Sequence, residues 1–321
     1  MAALFKTKGR GKTVALVDIE SGSVGAALLR LSHNEAPKLF GEVRVAVPVV
    51  RTRDVHALAT NVERAIEDAL RHVSTVATRL RSHEAVAEQG TLERVAVFLS
   101  PPWAAMHLTG GTADFVEPMR RGTHLTVRST LGEIPTSFHP IGTAAAHSAT
   151  LLFPNNRNTI ICIVSGEVTE LLVVSPRALL ARATVPAGSH SLVRTLVSHA
   201  GMSSTEARSF IGLPRREETL LHEPLLVAED DFAAQIQDAA RDFKQLGSLS
   251  GIIVVARDPE AELLARALTR NEALAELFPE GGVVRAARPS HAMPYIAAHA
   301  QKPDLHLMLE ALFVDAKFGG I

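Results

Sequence analysis

Residues 14–24 read Val-Ala-Leu-Val-Asp-Ile-Glu-Ser-Gly-Ser-Val and contain the strongest structural signal in the chain. The four consecutive apolar residues 14–17 predict a strand that is buried on both faces. The next six residues are rich in the Asp, Ser and Gly that form turns. Apolar residues then resume over 24–31, so the stretch predicts two neighbouring strands joined by a tight turn.

The same pattern returns in the second half of the chain. Residues 160–164 form an apolar run, a Ser-Gly-Glu turn follows, and residues 168–174 predict a second strand. A shift of 145 residues lays the first turn over the second, with Ser21 over Gly166. Two strand–turn–strand units, each followed by further elements in a similar order, predict an internally duplicated α/β protein.

The remaining segments extend each unit with further strands and helices. Residues 54–82 predict a long amphipathic helix, because their apolar side chains recur at steps of three and four residues. Residues 103–141 contain many Gly and Pro residues and show no clear period. Further strands are predicted over 42–50, 95–99, 178–186 and 251–256, and further helices over 143–152, 191–200, 204–211, 231–246, 261–277 and 293–313.

The composition is that of a globular protein. Of the 321 residues, 46% are hydrophobic and 21% are charged, which argues against a disordered chain. The 33 basic and 34 acidic side chains leave a net charge of -1, whereas dedicated nucleic-acid-binding proteins normally carry a basic surplus. We therefore expect no nucleic-acid partner.

The cysteine content and the hydropathy exclude further classes. The single cysteine, Cys162, cannot form an internal disulfide framework or a cysteine-rich metal site. Its position in an apolar strand predicts an inert, buried thiol. No apolar run approaches the roughly 20 residues that a membrane-spanning helix needs. We expect a cytoplasmic protein with no direct membrane span.

The first turn, within residues 14–24, resembles the first phosphate loop of the actin-like ATPase superfamily, most closely in its PilM- and FtsA-like members. Residues 164–171 resemble the second phosphate loop of that superfamily. Residues 183–190 are similar to the segment that follows this loop, and residues 203–208 resemble the helix after it. The order and spacing of these four segments are more specific than any one of them alone.

This resemblance implies a duplicated RNase H-like/actin-like α/β fold with two lobes around a central cleft. The first lobe is expected over residues 1–155, with the C-terminal segment 289–321 packing back on it, and the second lobe over residues 156–288. PilM- and FtsA-like proteins carry a small subdomain inserted in the first lobe. The interval from Trp103 to Ile141 is short for such an insertion, so we expect it to be reduced or absent.

The resemblance also implies a nucleotide site between the two turns. Such loops hold phosphate through backbone N–H groups and hydroxyls, and an Asp beside them holds the metal ion. The implied ligand is ATP with magnesium, and Asp18 is the candidate for the metal, although an Asp after a strand is often only a structural turn residue. The candidate nucleotide-binding residues are Asp18, Ser21, Gly22, Ser23, Ser165, Gly166, Glu167, Thr169 and Gly188.

The chain departs from the superfamily pattern at the positions that would bind or neutralise the phosphates. Glu20 stands where those proteins have Gly, and Gly25 stands where they have Lys, so a carboxylate is added and a cation is lost. Ile163 replaces the Asp that opens the second loop, and the Gly-Gly that approaches the nucleoside is absent near residues 256–258. These losses argue against ATP hydrolysis, and we assign no catalytic residue.

The resemblance leaves two functions from different classes. The first is a non-catalytic scaffold of a membrane-associated assembly machine, a type IV pilus or a secretion system, that binds a short cytoplasmic tail of a PilN-like inner-membrane protein. Such a scaffold would lie at the inner membrane through its partner, and self-association is a further expectation. The second is an active nucleotide-dependent ATPase of FtsA-like or sugar-kinase-like type. The loss of phosphate and metal residues within an intact apolar framework favours the scaffold.

Overall fold

A computed structural model describes residues 11–50, 54–104, 113–154, 158–176, 178–213, 222–278 and 281–319. The strands are β1 (Lys12–Ile19), β2 (Ser23–Leu31), β3 (Lys38–Ala46), β4 (Leu92–Leu99), β5 (Thr136–Pro140), β6 (Thr159–Val164), β7 (Thr169–Val174), β8 (Leu179–Val185), β9 (Gly251–Val255), β10 (Val283–Ala286) and β11 (Ala297–Ala298). The helices are α1 (Val55–Ser82), α2 (Ala113–Leu131), α3 (Ile141–Leu152), α4 (Ser189–Ala200), α5 (Ser204–Ile211), α6 (His222–Ala240), α7 (Glu260–Arg270), α8 (Glu272–Ala275), α9 (Pro289–Ala292) and α10 (Leu305–Phe318). Short 3-10 helices cover Glu84–Gly90 and Arg241–Leu246.

The strands form two sheets of the same design. The first sheet has the order β11-β3-β2-β1-β4-β5, and the second has the order β10-β9-β6-β7-β8. In each sheet three consecutive strands form an antiparallel meander, and two later strands add in parallel beside its first strand. The second sheet thus repeats the first, apart from the short strand β11, and the expected duplication is confirmed.

The two sheets and their helices form five layers. Helices α1 and α2 cover the outer face of the first sheet, and helices α4 to α8 cover the outer face of the second. Helices α3 and α10 lie between the sheets and contact both. On α3, Ile141 packs on the first sheet and Ala149 on the second; on α10, Leu307 packs on the first sheet and Leu309 on the second. This shared middle layer sets how the two lobes meet.

Residues 103–141 contain more regular structure than their composition predicts. Helix α2 covers most of the part that the structure describes and includes Pro118, and β5 follows it. The helix is stabilised by burying Met119, Thr123 and Val127, which recur every four residues on one face. Between β4 and β5 the described residues contain no inserted subdomain, as expected, because α2 and β5 belong to the lobe itself.

The predicted helix over residues 293–313 is wrong at its start. Helix α10 begins at Leu305, after β11, and its N-cap is Asp304, whose side chain accepts a hydrogen bond from the Leu307 N–H at 3.2 Å. Pro303 precedes this cap and disfavours helix before it. In the described part of the chain, none of the helices has both the length and the apolar character needed to cross a membrane. The division into lobes at residues 155 and 156 stays a prediction.

Candidate functional site

The two turns singled out by the sequence have the same hydrogen-bonded geometry. In the first, the Glu20 N–H donates to the Ser23 carbonyl at 3.0 Å; in the second, the Ser165 N–H donates to the Val168 carbonyl at 3.0 Å. These partners are related by the shift of 145 residues that the sequence comparison uses. Both turns are tight because each connects neighbouring antiparallel strands through few residues.

The two turns touch each other directly. The hydroxyls of Ser21 and Ser165 are hydrogen-bonded at 2.9 Å, and the Glu167 N–H donates to Ser21 Oγ at 2.8 Å. A methyl group added at Gly22 would lie 2.8 Å from Gly166 Cα, and one added at Gly166 would lie 2.5 Å from Gly22 Cα. Distances this short show that the two glycine backbones are in contact. A phosphate group therefore has no space between the turns in this arrangement.

The N-terminus of α4 closes over the second turn. The backbone N–H groups of Ser189 and His190 donate to the carbonyls of Ser165 and Gly166, at 3.0 and 2.8 Å. A side chain at Gly188 would clash with the Ser165 carbonyl, since its Cβ would lie 2.4 Å from that oxygen. Helix N-terminal donors of this kind commonly bind phosphate. Here two of them bind the turn itself.

The other residues predicted from the second turn are also engaged within the protein. Thr169 Oγ1 donates to the Ala187 carbonyl at 2.7 Å. The Glu167 carboxylate accepts from Arg194 at 2.8 and 2.7 Å and lies 2.9 Å from His190 Nδ1. Burial would raise the pKa of Glu167, but the hydrogen bonds from His190 and Arg194 lower it to about 2. Glu167 is therefore ionised and links the second turn to α4.

A cation on β3 fills the space next to Gly25, where the resemblance to phosphate loops implies a Lys side chain. Gly25 of β2 lies opposite Arg44 of β3, and a Cβ at Gly25 would come 2.6 Å from Arg44 Nη2. The guanidinium lies 2.7 Å from Asp18 Oδ2, donates to Ser23 Oγ at 2.8 Å, and forms a two-pronged ion pair with Asp304, with Nη2 3.0 Å from Oδ1. Arg44 thus neutralises Asp18 and joins β1 to the start of α10.

The carboxylate of Asp18 also faces a group of buried titratable side chains from β1 and α10. Glu20 contacts His306 Nδ1, which lies 3.8 Å from Asp18 Oδ2. Burial and the charge of Glu20 raise the pKa of Asp18 to about 7, and burial and the charge of Asp18 hold the pKa of Glu310 well above its usual range. Burial opposes the charged forms of Glu20 and His306 as well. Their mutual attraction outweighs it, so the pKa of Glu20 is lowered and that of His306 is raised.

The structure brings all the predicted nucleotide-binding residues to one place, where the turns, α4 and β3 meet. Nucleotide binding by them stays a prediction. Sequence reasoning missed Arg44, Asp304, His306 and Glu310. A signal existed for two of them: His306 and Glu310 lie four residues apart in an otherwise apolar segment, which places two polar groups on one face of a buried helix. Arg44 carried no comparable local signal.

Comparisons with known proteins support the fold. No protein-family model matches the sequence, and no curated protein matches it. Among solved structures, a PilM–PilN type IV pilus biogenesis complex is similar with a TM-score of 0.56 at 10% identity, over 95% of each chain. Ethanolamine utilization protein EutJ from Carboxydothermus hydrogenoformans has a TM-score of 0.51 at 13% identity, over 94% of this chain and 89% of that one. A Ppx/GppA family member from Aquifex aeolicus has a TM-score of 0.50 at 10% identity, over 96% and 99%. This chain therefore shares with these solved structures a duplicated two-lobe α/β fold, the actin-like fold that the sequence predicts.

Proposed function

We propose that this protein is a non-catalytic actin-like scaffold of a membrane-associated assembly machine, of the type IV pilus or secretion kind. It binds a short cytoplasmic tail of an inner-membrane partner and lies at the cytoplasmic side of that membrane through this contact. The observation that carries the non-catalytic part is the direct contact of the two phosphate-loop turns at Gly22 and Gly166.

The charges around the turns support the same proposal. An ATPase of this fold needs cations that face the phosphates and an acidic group that holds the metal ion. Here Arg44 is bound to Asp18 and Asp304, and Arg194 is bound to Glu167. These groups neutralise one another, so neither arginine is free to face a phosphate. Opening the turns for a nucleotide would also break the hydrogen bonds that join Ser21 to Ser165 and to the Glu167 N–H.

The partner is proposed from the resemblance of the two turns to PilM-like proteins, together with the likeness in fold to the protein of the PilM–PilN complex. A scaffold that does not hydrolyse ATP needs the two-lobe fold but does not need the residues that bind and neutralise phosphate. The framework is present here, because α3 and α10 lie between the two sheets and pack on both.

Calorimetry with Mg-ATP and an assay for released phosphate test the first part. We expect no steady phosphate release, because the turns exclude the phosphates. The matched control is Asp18→Asn, which removes the charge that a metal-bound nucleotide would need. Steady release by the natural sequence that Asp18→Asn abolishes would establish the active ATPase instead.

Fluorescence anisotropy tests the second part. The probe is a labelled peptide with the sequence of the cytoplasmic N-terminal tail of a PilN-like protein from the same organism, and the control is the same peptide scrambled. We expect saturable binding of the natural peptide only. Equal anisotropy changes for both peptides, or none for either, would contradict the proposed partner without bearing on the ATPase question.

A further inference from the structure

Four buried side chains converge where the end of β1 meets α10, and Arg44 contacts two of them, Asp18 at 2.7 Å and Glu20 at 3.5 Å. Asp18, Glu20, His306 and Glu310 are each at most 2% exposed. One ligand atom from each of Asp18, Glu20 and His306 can be chosen so that all three lie within 4.8 Å of one another. Glu310 lies one helical turn beyond His306 on α10 and faces Asp18. The side chains that could bind a metal ion therefore come from two segments that are distant in sequence.

Several of these donor atoms have no well-aligned hydrogen bond among the described residues. They are Asp18 Oδ1, both carboxylate oxygens of Glu310, and His306 Nε2, whereas His306 Nδ1 contacts Glu20 and the Glu310 carboxyl group faces that of Asp18. Buried polar atoms are almost always satisfied, so each such atom needs a partner. Asp18 Oδ2, by contrast, is bound to Arg44. The atoms without a well-aligned partner therefore belong to Asp18 and to two side chains of α10.

The cluster and its neighbours also contain more acidic than basic side chains, which favours a bound cation. Four carboxyl groups, those of Asp18, Glu20, Asp304 and Glu310, face the guanidinium of Arg44 and the imidazole of His306. With His306 neutral and all four carboxyl groups ionised, the cluster carries three uncompensated negative charges, and three of its four carboxyl groups are buried. Burying isolated charge in this way is very unfavourable. Either protons on Glu310 and His306 or one divalent cation can remove two of these charges.

We propose that a divalent first-row metal ion binds in this cluster, with Asp18, Glu20, His306 and Glu310 as its ligands. The ion is bound without a nucleotide. It acts as a structural clamp between β1 and α10, because two of its ligands come from each element.

The donor set defines the class of metal. One imidazole nitrogen with carboxylate oxygens suits zinc or manganese, while the absence of a thiolate argues against metals that select sulfur. In a four-coordinate zinc site with bonds of about 2.0–2.2 Å, neighbouring donor atoms lie roughly 3.4 Å apart. The ligand atoms of Asp18, Glu20 and His306 lie within 4.8 Å of one another, so metal binding would require them to move closer together.

Elemental analysis of the full chain, purified without chelators, tests the proposal directly. We expect one zinc or manganese ion per chain. After the metal is stripped with a chelator, the thermal unfolding temperature should fall, and adding Zn²⁺ or Mn²⁺ alone should restore it. Neither measurement involves a nucleotide, so its outcome is independent of the ATPase test.

The variant Glu310→Gln separates a metal ion from bound protons. A glutamine has nearly the shape of a protonated Glu310, so it should be tolerated if protons neutralise the cluster. If a metal is bound, Glu310→Gln and His306→Gln should each weaken its binding roughly 10-fold or more. Glu170→Gln is the matched control, because Glu170 is equally buried but pairs with Arg182 in the second lobe. Its metal content should match that of the natural sequence.

Three outcomes would overturn the proposal. In the first, the natural protein contains no stoichiometric metal, and adding Zn²⁺, Mn²⁺ or Mg²⁺ does not change its unfolding temperature. Another is unchanged metal content in both cluster variants, which would place the ion elsewhere. If the variants do not fold, X-ray absorption at the metal edge of the natural protein decides, since sulfur ligands or a shell without imidazole would contradict this donor set.

Discussion

Arg44 of β3 places a positive charge next to Gly25, the position where the resemblance to phosphate loops implies a Lys. The exchange works because the two residues lie opposite each other on neighbouring strands, so the missing side chain leaves room for the guanidinium. The planar fork of arginine can pair with Asp18 and Asp304 at once, which a lysine could not do. A single residue thus connects the first turn to α10.

Replacing Arg44 by Met should lower the free energy of unfolding by about 3–5 kcal/mol, because it leaves the buried Asp18 and Asp304 without their partner. Urea denaturation measures the loss. Arg44→Lys should lose less, since it keeps the charge. In a double-mutant cycle, Gly25→Lys should be more damaging with Arg44 present than with Arg44→Ala, because the three atoms nearest to a Cβ at Gly25 all belong to Arg44. Additive effects would contradict this account.

The second turn and α4 form a unit at the scale of elements. Their connection consists of the backbone bonds from Ser189 and His190 to the turn and of the ion pair from Arg194 to Glu167. Gly188 permits the close approach, because any side chain there would meet the Ser165 carbonyl. The helix therefore stabilises the turn in its closed form, and Glu167 is the charged part of that link.

The contribution of Glu167 should depend on pH. Its pKa is about 2 in the folded chain, against about 4.3 when unfolded, so folding favours the ionised form. The stabilisation is present above about pH 4.5 and is lost as the pH falls towards 2, and it is on the order of 3 kcal/mol. The measurement is the difference in unfolding free energy between the natural sequence and Glu167→Gln. This difference should shrink from pH 5 to pH 2.5; a constant difference would contradict the link.

The whole molecule is held together by its middle layer. Helices α3 and α10 contribute side chains to the cores on both sides, and Ser148 of α3 donates to the Leu309 carbonyl of α10 at 2.8 Å. Neither lobe can expose this layer without losing part of its own core. The contact between the two turns adds a second connection between the lobes. We therefore expect the lobes to unfold together.

Two natural probes can check this cooperativity. Trp103 is the only tryptophan and is buried in the first lobe, and Cys162 is the only cysteine and is buried in the second. Burial raises the pKa of the Cys162 thiol, so it reacts with thiol reagents only after unfolding. In urea, Trp103 fluorescence and pulse labelling of Cys162 should give the same midpoint. Labelling of Cys162 at lower urea than the fluorescence change would show lobes that unfold separately.

The local sequence was sufficient to predict the two strand–turn–strand units, α1 and the duplicated fold. Hydrophobic periodicity and turn-forming residues depend only on residues close together in the chain, so they can be read from the sequence. It also placed Ser21, Gly166 and their companions in one site, since the resemblance to phosphate loops rests on residues adjacent in the chain. Helix α2 was missed because its Pro and Gly residues hide a pattern that packing against α1 makes stable. Propensity alone is a weak guide where burial compensates for it.

What the sequence left open was whether the two turns are apart or in contact, and which charges meet around Asp18. Those features depend on the middle layer, which brings α10 to the end of β1, and on the sheet register, which sets Arg44 over Gly25. A buried charge is stabilised by whatever lies within a few ångströms of it, and those neighbours come from distant parts of the chain. No local pattern encodes that proximity, so only the folded structure could reveal it.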